Sequence, residues 1–134
     1  MTVVIAGILA AFAASKISTT SFHTEGFANR VAAMVRYAQK VAVSQRRTVA
    51  VVITTGTSGS IALCYTDTSC TGGHVHEPPG SDAFTYSVPN SNVSLGGSSF
   101  TFNALGKPSA GGAITVTGDV TRTITVEAET GYVH

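Results

Sequence analysis

The sequence of 134 residues has room for one domain plus an extension, and 43% hydrophobic content with a net charge of +1 excludes a disordered chain. Only 11% of residues are charged, well below the usual quarter, which suits a protein that buries much surface against copies of itself. The charge is uneven: Lys16, Arg30, Arg36, Lys40, Arg46 and Arg47 against Glu25 leave residues 1–47 at +5, whereas Lys107 and Arg122 against six carboxylates leave residues 48–134 at −4. The basic helix end is favoured by the helix dipole. The acidic remainder either complements the basic helix of a neighbouring subunit or forms a solvated face.

Met1–Ala14, MTVVIAGILAAFAA, carries no charge. It lacks the basic stretch that precedes a signal-peptide core, and it is shorter than the roughly 20 residues of a membrane span. The residues that remain are too few to enclose it. It is therefore expected to be the end of a longer hydrophobic helix that sits in a membrane and later in a polymer. From Glu25 to Arg47, Phe27, Val31, Met34, Ala38 and Val41 recur at steps of three and four, with Val35 beside them. This is the apolar stripe of an amphipathic helix. Ser15–Ser21 and Gly26 lower helix propensity between the two segments, so local unwinding is expected there.

After Arg47 the period changes to two. Thr48–Thr55 and Ser60–Tyr65 read as strands of a hairpin around Gly56–Gly59. Thr66–Asp82, with Gly72, Gly73, Pro78, Pro79 and Gly80, reads as a long exposed loop. Ala83–Val88 and Asn92–Leu95 are short strand candidates. Phe100 and Phe102 give the next strand one aromatic face. Ala113–Thr117 and Thr121–Glu127 flank Gly118-Asp119 as a second hairpin, placing Ile114, Val116, Ile124 and Val126 towards the helix.

Val3–Ala11, and within it the I-x-G-I-L-A-A run of Ile5–Ala11, resembles the N-terminal helix of type IV pilins and type II secretion pseudopilins. Phe100-Thr101-Phe102-Asn103-Ala104-Leu105-Gly106 resembles the F-x-F-x-x-x-G strand and turn of the GspH/FimT class. Thr123–Val126 followed by Thr130-Gly131-Tyr132-Val133 resembles that class's closing strand and T-G-x-V ending. Arg36–Val43 followed by Arg46-Arg47 resembles its helix end. The resemblance implies about seven further residues before Met1, which bring the apolar run to membrane-spanning length. It implies an α+β fold, a long N-terminal helix (1–47) packed on an antiparallel β head (48–134). Val3, Val4, Ile5, Ile8, Leu9 and Phe12 are expected to pack between subunits in the filament core. Phe27, Val31, Met34, Val35, Ala38 and Val41 are expected to hold helix to head, with Phe22 at the transition.

Cys64 and Cys70 are an even pair at close spacing in a chain that reads as exported, which points to a small disulfide loop. With His74 and His76 they formally supply four zinc ligands, but the spacing matches no standard zinc pattern. No metal or other cofactor is expected. No G-x-S-x-G, H-E-x-x-H, P-loop or C-x-x-C is present. Glu127 and Glu129 are expected on one strand face without a partner, and no catalytic residue is assigned. Some FimT-like minor pilins are implicated in DNA uptake through basic residues near the end of the head. Here Arg122 is the only basic side chain after Lys107, and phosphate contacts need several, so nucleic acid is disfavoured as a partner.

The expected function is that of a structural subunit polymerising into a type IV pilus-like filament. Its partners would be identical subunits, other pilins or pseudopilins, and the inner membrane before assembly. The alternatives are a minor pilin or H-type pseudopilin at a filament tip, and less favourably a DNA-uptake pilin.

Overall fold

The computed structural model describes residues 3–5 and 19–134. Val3–Ile5 is helical. The main helix, α1, runs from Thr19 to Gln45. Its inner face carries Phe27, Val31, Met34, Val35, Ala38, Val41 and Ala42, all buried, at the three-and-four spacing that keeps side chains on one face. The helix stops without a glycine. Arg46 takes the left-handed conformation at φ 50°, and Arg47 N–H donates to Ala42 O at 3.2 Å, the bond that closes a Schellman cap.

The unwinding expected between Ser15 and Gly26 is absent over residues 19–26, which are helical through the glycine; Ser15–Ser18 lie outside the described residues. Tertiary contacts outweigh weak propensity there. Thr24 is fully buried and faces Gly118, where a Cβ would collide with its hydroxyl. At the next residue, Glu25 accepts from Arg122 Nε at 2.7 Å. The first turns of α1 are thus pinned to the hairpin opposite.

Seven strands form two antiparallel sheets: β1 Val49–Thr54, β2 Ser60–Tyr65, β3 Thr85–Ser87, β4 Ser94–Gly96, β5 Phe100–Phe102, β6 Gly112–Thr117 and β7 Thr121–Val126. The first sheet has the order β3-β2-β1-β5 and the second β4-β6-β7. Register follows the hairpins, with Val51 opposite Leu63 and Ile114 opposite Ile124. Gly56 joins the sheets by exchanging backbone bonds with Leu95 at 2.8 and 3.1 Å. α1 lies across both, touching β1 in one and β6 and β7 in the other. A single core of buried apolar side chains results, reaching from Phe27 to Val133.

Three expectations from the sequence need correction. The candidate at Ala83–Val88 shortens to Thr85–Ser87. That at Asn92–Leu95 shifts to Ser94–Gly96, because the Asn90 side chain accepts from Asn92 N–H at 3.0 Å and holds a turn. The stretch 66–82 is not simply an exposed loop. After the turn at Cys70 the chain returns beside β2, with Tyr65 N–H donating to Gly73 O and Val75 N–H to Leu63 O, both at 2.8 Å. Val75 is 1% exposed and Phe84 9%, so burial of these two side chains organises a segment whose glycines and prolines suggest surface.

Candidate functional site

Two groups of residues are candidates for the site, the apolar N-terminal segment and the contacts that hold α1 to the head. Val3, Val4 and Ile5 are 82%, 64% and 58% exposed. Ile8, Leu9 and Phe12 lie outside the described residues. Phe22, at the transition, is 70% exposed. Among the described residues no helix is long and apolar enough to cross a membrane.

The helix is held to the head by polar contacts as well as by its apolar face. Gln39 Nε2 donates to Gly106 O at 2.8 Å and to Thr130 O at 3.0 Å. One amide therefore staples two turns of the head to α1. Arg36 Nη2 donates to Val133 O at 3.1 Å. Arg30 pairs with Glu77 and lies 5.1 Å from the Tyr86 ring centroid, itself stacked on Phe27. Arg122 pairs with Glu25. Part of the charge complementarity between the basic helix half and the acidic head is thus met within one chain. None of these partners was legible in the sequence. The available signal for Gln39 was a polar side chain on the flank of an apolar stripe.

Arg122, the residue on which a DNA-binding reading depends, is engaged by Glu25 on the helix. Glu127 and Glu129 do not share a strand face. β7 ends at Val126, and the two carboxylates fall in the following turn, where Glu127 bonds His134 Nε2 at 2.8 Å and Glu129 bonds Lys107 Nζ at 2.9 Å.

Cys64 and Cys70 form a disulfide with their Cα atoms 5.1 Å apart. His74 Nδ1 lies 3.5 Å from Cys64 Sγ. Of the four formal zinc ligands, Cys64, Cys70 and His74 come together and His76 does not join them. With both sulfurs bonded to each other the set offers no thiolate, so these residues do not fit a zinc centre in this state. The turn that the disulfide closes is held by Asp67. Its carboxylate accepts from the Thr71 hydroxyl at 2.6 Å and from the N–H groups of Ser69 and Thr71 at 3.1 and 3.2 Å. These bonds, the Thr71 hydroxyl first, hold the Asp67 carboxyl below the ordinary aspartate value.

A cleft between α1 and β7 is lined by Asn29, Arg36, Arg122, Thr123 and His134.

A long N-terminal helix lying on two small antiparallel sheets is a pilin-like arrangement, and the family model described as type II transport protein GspH matches residues 28–130. This chain belongs to the GspH family. Two crystal forms of the type IV minor pilin FimU of Pseudomonas aeruginosa strain PAO1 share its fold. The form in space group P21 superposes with a TM-score of 0.65 at 16% identity, covering 87% of this chain and 90% of that one. The form in P65 gives 0.59 at 16% identity, covering 82% and 90%. No curated protein matches the chain. Family and fold are those of structural pilins, and the family associates with other pilins or pseudopilins in extracellular or periplasmic assemblies. The matched region begins at Ala28, so the family assignment rests on the α1 stripe and the head, independently of the apolar segment before them.

Proposed function

We propose that this GspH-family chain is a pilin-type subunit that polymerises through its apolar N-terminal helix, with the β head facing outward. The observation that carries the reading is a division of labour along the chain. The head and α1 bury a shared core, whereas Val3–Ile5 is helical and apolar with its side chains exposed. Burying such surface is worth roughly 25 cal/mol per Å². The inner membrane supplies that burial before assembly, and neighbouring helices supply it in the filament. Contacts between identical subunits related by a rotation that does not close build an open helix. The role is structural, not enzymatic, and the finished filament lies outside the cell or, for a pseudopilus, in the periplasm.

A second reading, a minor pilin or H-type pseudopilin at or near the filament tip, is favoured by membership of the type II transport GspH family. The likeness to a protein described as a minor pilin points the same way. DNA uptake is the weakest reading, because Arg122 is already paired.

Immunogold electron microscopy with an antibody against residues 66–98 separates the readings. Label along whole filaments is expected of the polymerising subunit. Label confined to tips or to the cell envelope moves the assignment to the minor subunit, and label on no filament or envelope structure refutes both.

A further inference from the structure

We infer that His74 is the base that closes the Cys64–Cys70 disulfide when the reduced chain meets a disulfide oxidant. His74 Nδ1 lies 3.5 Å from Cys64 Sγ, and a ring nitrogen of His74 and the two sulfurs all lie within 4.8 Å of one another. The backbone sets this approach without help from the disulfide. Cys64 and His74 face each other across an antiparallel bridge. On either side of it, Tyr65 N–H donates to Gly73 O and Val75 N–H to Leu63 O, both at 2.8 Å. Val75, next to His74, is buried and anchors the returning segment. Cys70 is placed in the same way. Its N–H donates to Asp67 O at 3.3 Å, and its carbonyl accepts from Gly73 N–H at 3.1 Å. The Asp67 carboxylate holds the turn through Ser69 and Thr71. None of these backbone and carboxylate bonds uses sulfur, so they remain available when the cysteines are reduced.

The two sulfurs are unequal. Cys64 is fully buried and Cys70 is half-buried, so an oxidant reaches Cys70 first. The Cys70 thiolate attacks the oxidant's disulfide; one oxidant sulfur leaves as a thiolate and the other stays bonded to Cys70. Closure then falls to Cys64, the poorer nucleophile. Only a thiolate attacks, and burial disfavours the charged form. With its own proton on Nε2, His74 takes the Cys64 proton at Nδ1. The Cys64 sulfur bonds to Cys70 Sγ, the bond from Cys70 to the oxidant breaks, and the departing thiolate takes the proton from the imidazolium. Two thiols are oxidised to one disulfide and the oxidant's disulfide is reduced to two thiols. Outside the cytoplasm, thiol–disulfide oxidoreductases supply such an oxidant. An imidazole suits the step because it exchanges a proton near neutral pH. Of the other ionisable groups on this segment, Asp67 is turned to Thr71 and Ser69, and His76 does not join the cluster.

The test follows the reduced full chain in detergent micelles at neutral pH after mixing with oxidised glutathione. Samples are quenched in acid, remaining thiols are alkylated, and mass spectrometry separates reduced, glutathione-bearing and closed chains. In the unaltered chain, glutathione on Cys70 is expected as a short-lived species. In His74→Ala, attachment of glutathione keeps its rate while closure slows about tenfold, the gain from turning a minor thiolate population into the major one. Added imidazole restores closure. His74→Gln, which keeps size and polarity, is expected to be as slow as His74→Ala. Closure at the unaltered rate in either variant overturns the inference. Slowing that imidazole does not relieve also overturns it, by making His74 a structural contact only. Glutathione found on Cys64 in place of Cys70 reverses the order of the sulfurs and overturns it as well.

Discussion

Gly131 occupies a position that no other residue fits. Its φ is +70°, and a Cβ there would run into Gly106 O and come 2.5 Å from Gln39 Nε2. The glycine therefore lets the closing turn approach the helix closely enough for Gln39 to reach Thr130 O and Gly106 O together. Gly131→Ala is expected to destabilise the fold by about 2 kcal/mol, combining backbone strain with loss of the staple. Urea melts check this, and an unchanged midpoint refutes it. Asp67 acts through charge. Its folded-state pKa lies below the ordinary aspartate value because the Thr71 hydroxyl, and then backbone N–H groups, bond the ionised form. A depressed carboxyl contributes order above its ordinary pKa and loses that contribution as pH falls through the folded value. A carboxyl-carbon NMR titration should place the Asp67 midpoint below that of a free aspartate, and Asp67→Asn should remove the pH dependence of order in the 67–71 turn. A midpoint at or above the free value contradicts the hydrogen-bond argument.

At the scale of elements, the strongest patterns were legible and the weakest were not. The period of two in Thr48–Thr55 and Ser60–Tyr65 and the glycines between them specified a hairpin, and the structure pairs Val49–Thr54 with Ser60–Tyr65 residue for residue. The apolar stripe of α1 was equally visible, since a spacing of three and four has one geometric meaning. The segment 66–82 was misjudged because composition reports what a segment can do by itself. Val75 and Phe84 become buried only because β2 offers a free edge beside them, to which Val75 and Leu63 contribute the bond at 2.8 Å. The disulfide at the start of that segment is expected to matter in proportion. Replacing both Cys64 and Cys70 by serine should cost about 2 kcal/mol, the value for so short a closed loop. Limited proteolysis should then cut first within residues 66–73. Denaturant midpoints and cleavage mapping read the two effects, and an unchanged midpoint would show that the Asp67 turn holds the segment without the disulfide.

For the whole molecule, local pattern was enough to give the class, an amphipathic helix followed by an antiparallel head. Periodicity and composition are local quantities, and each of those conclusions needs only neighbours in the chain. The charge asymmetry was also readable, but its destination was not. Arg122 with Glu25 and Arg30 with Glu77 join residues 97 and 47 positions apart. Such pairings depend on how the helix is laid across the two sheets. The same holds for two exposed apolar side chains near the ends of α1. Leu105 and Val120 look like ordinary turn residues in sequence, and only the docking of their turns against Val43 and Thr24 places them at opposite ends of one helix. Local pattern chose the elements; long-range packing, which no window of sequence contains, decided which charges are satisfied and which apolar side chains stay exposed.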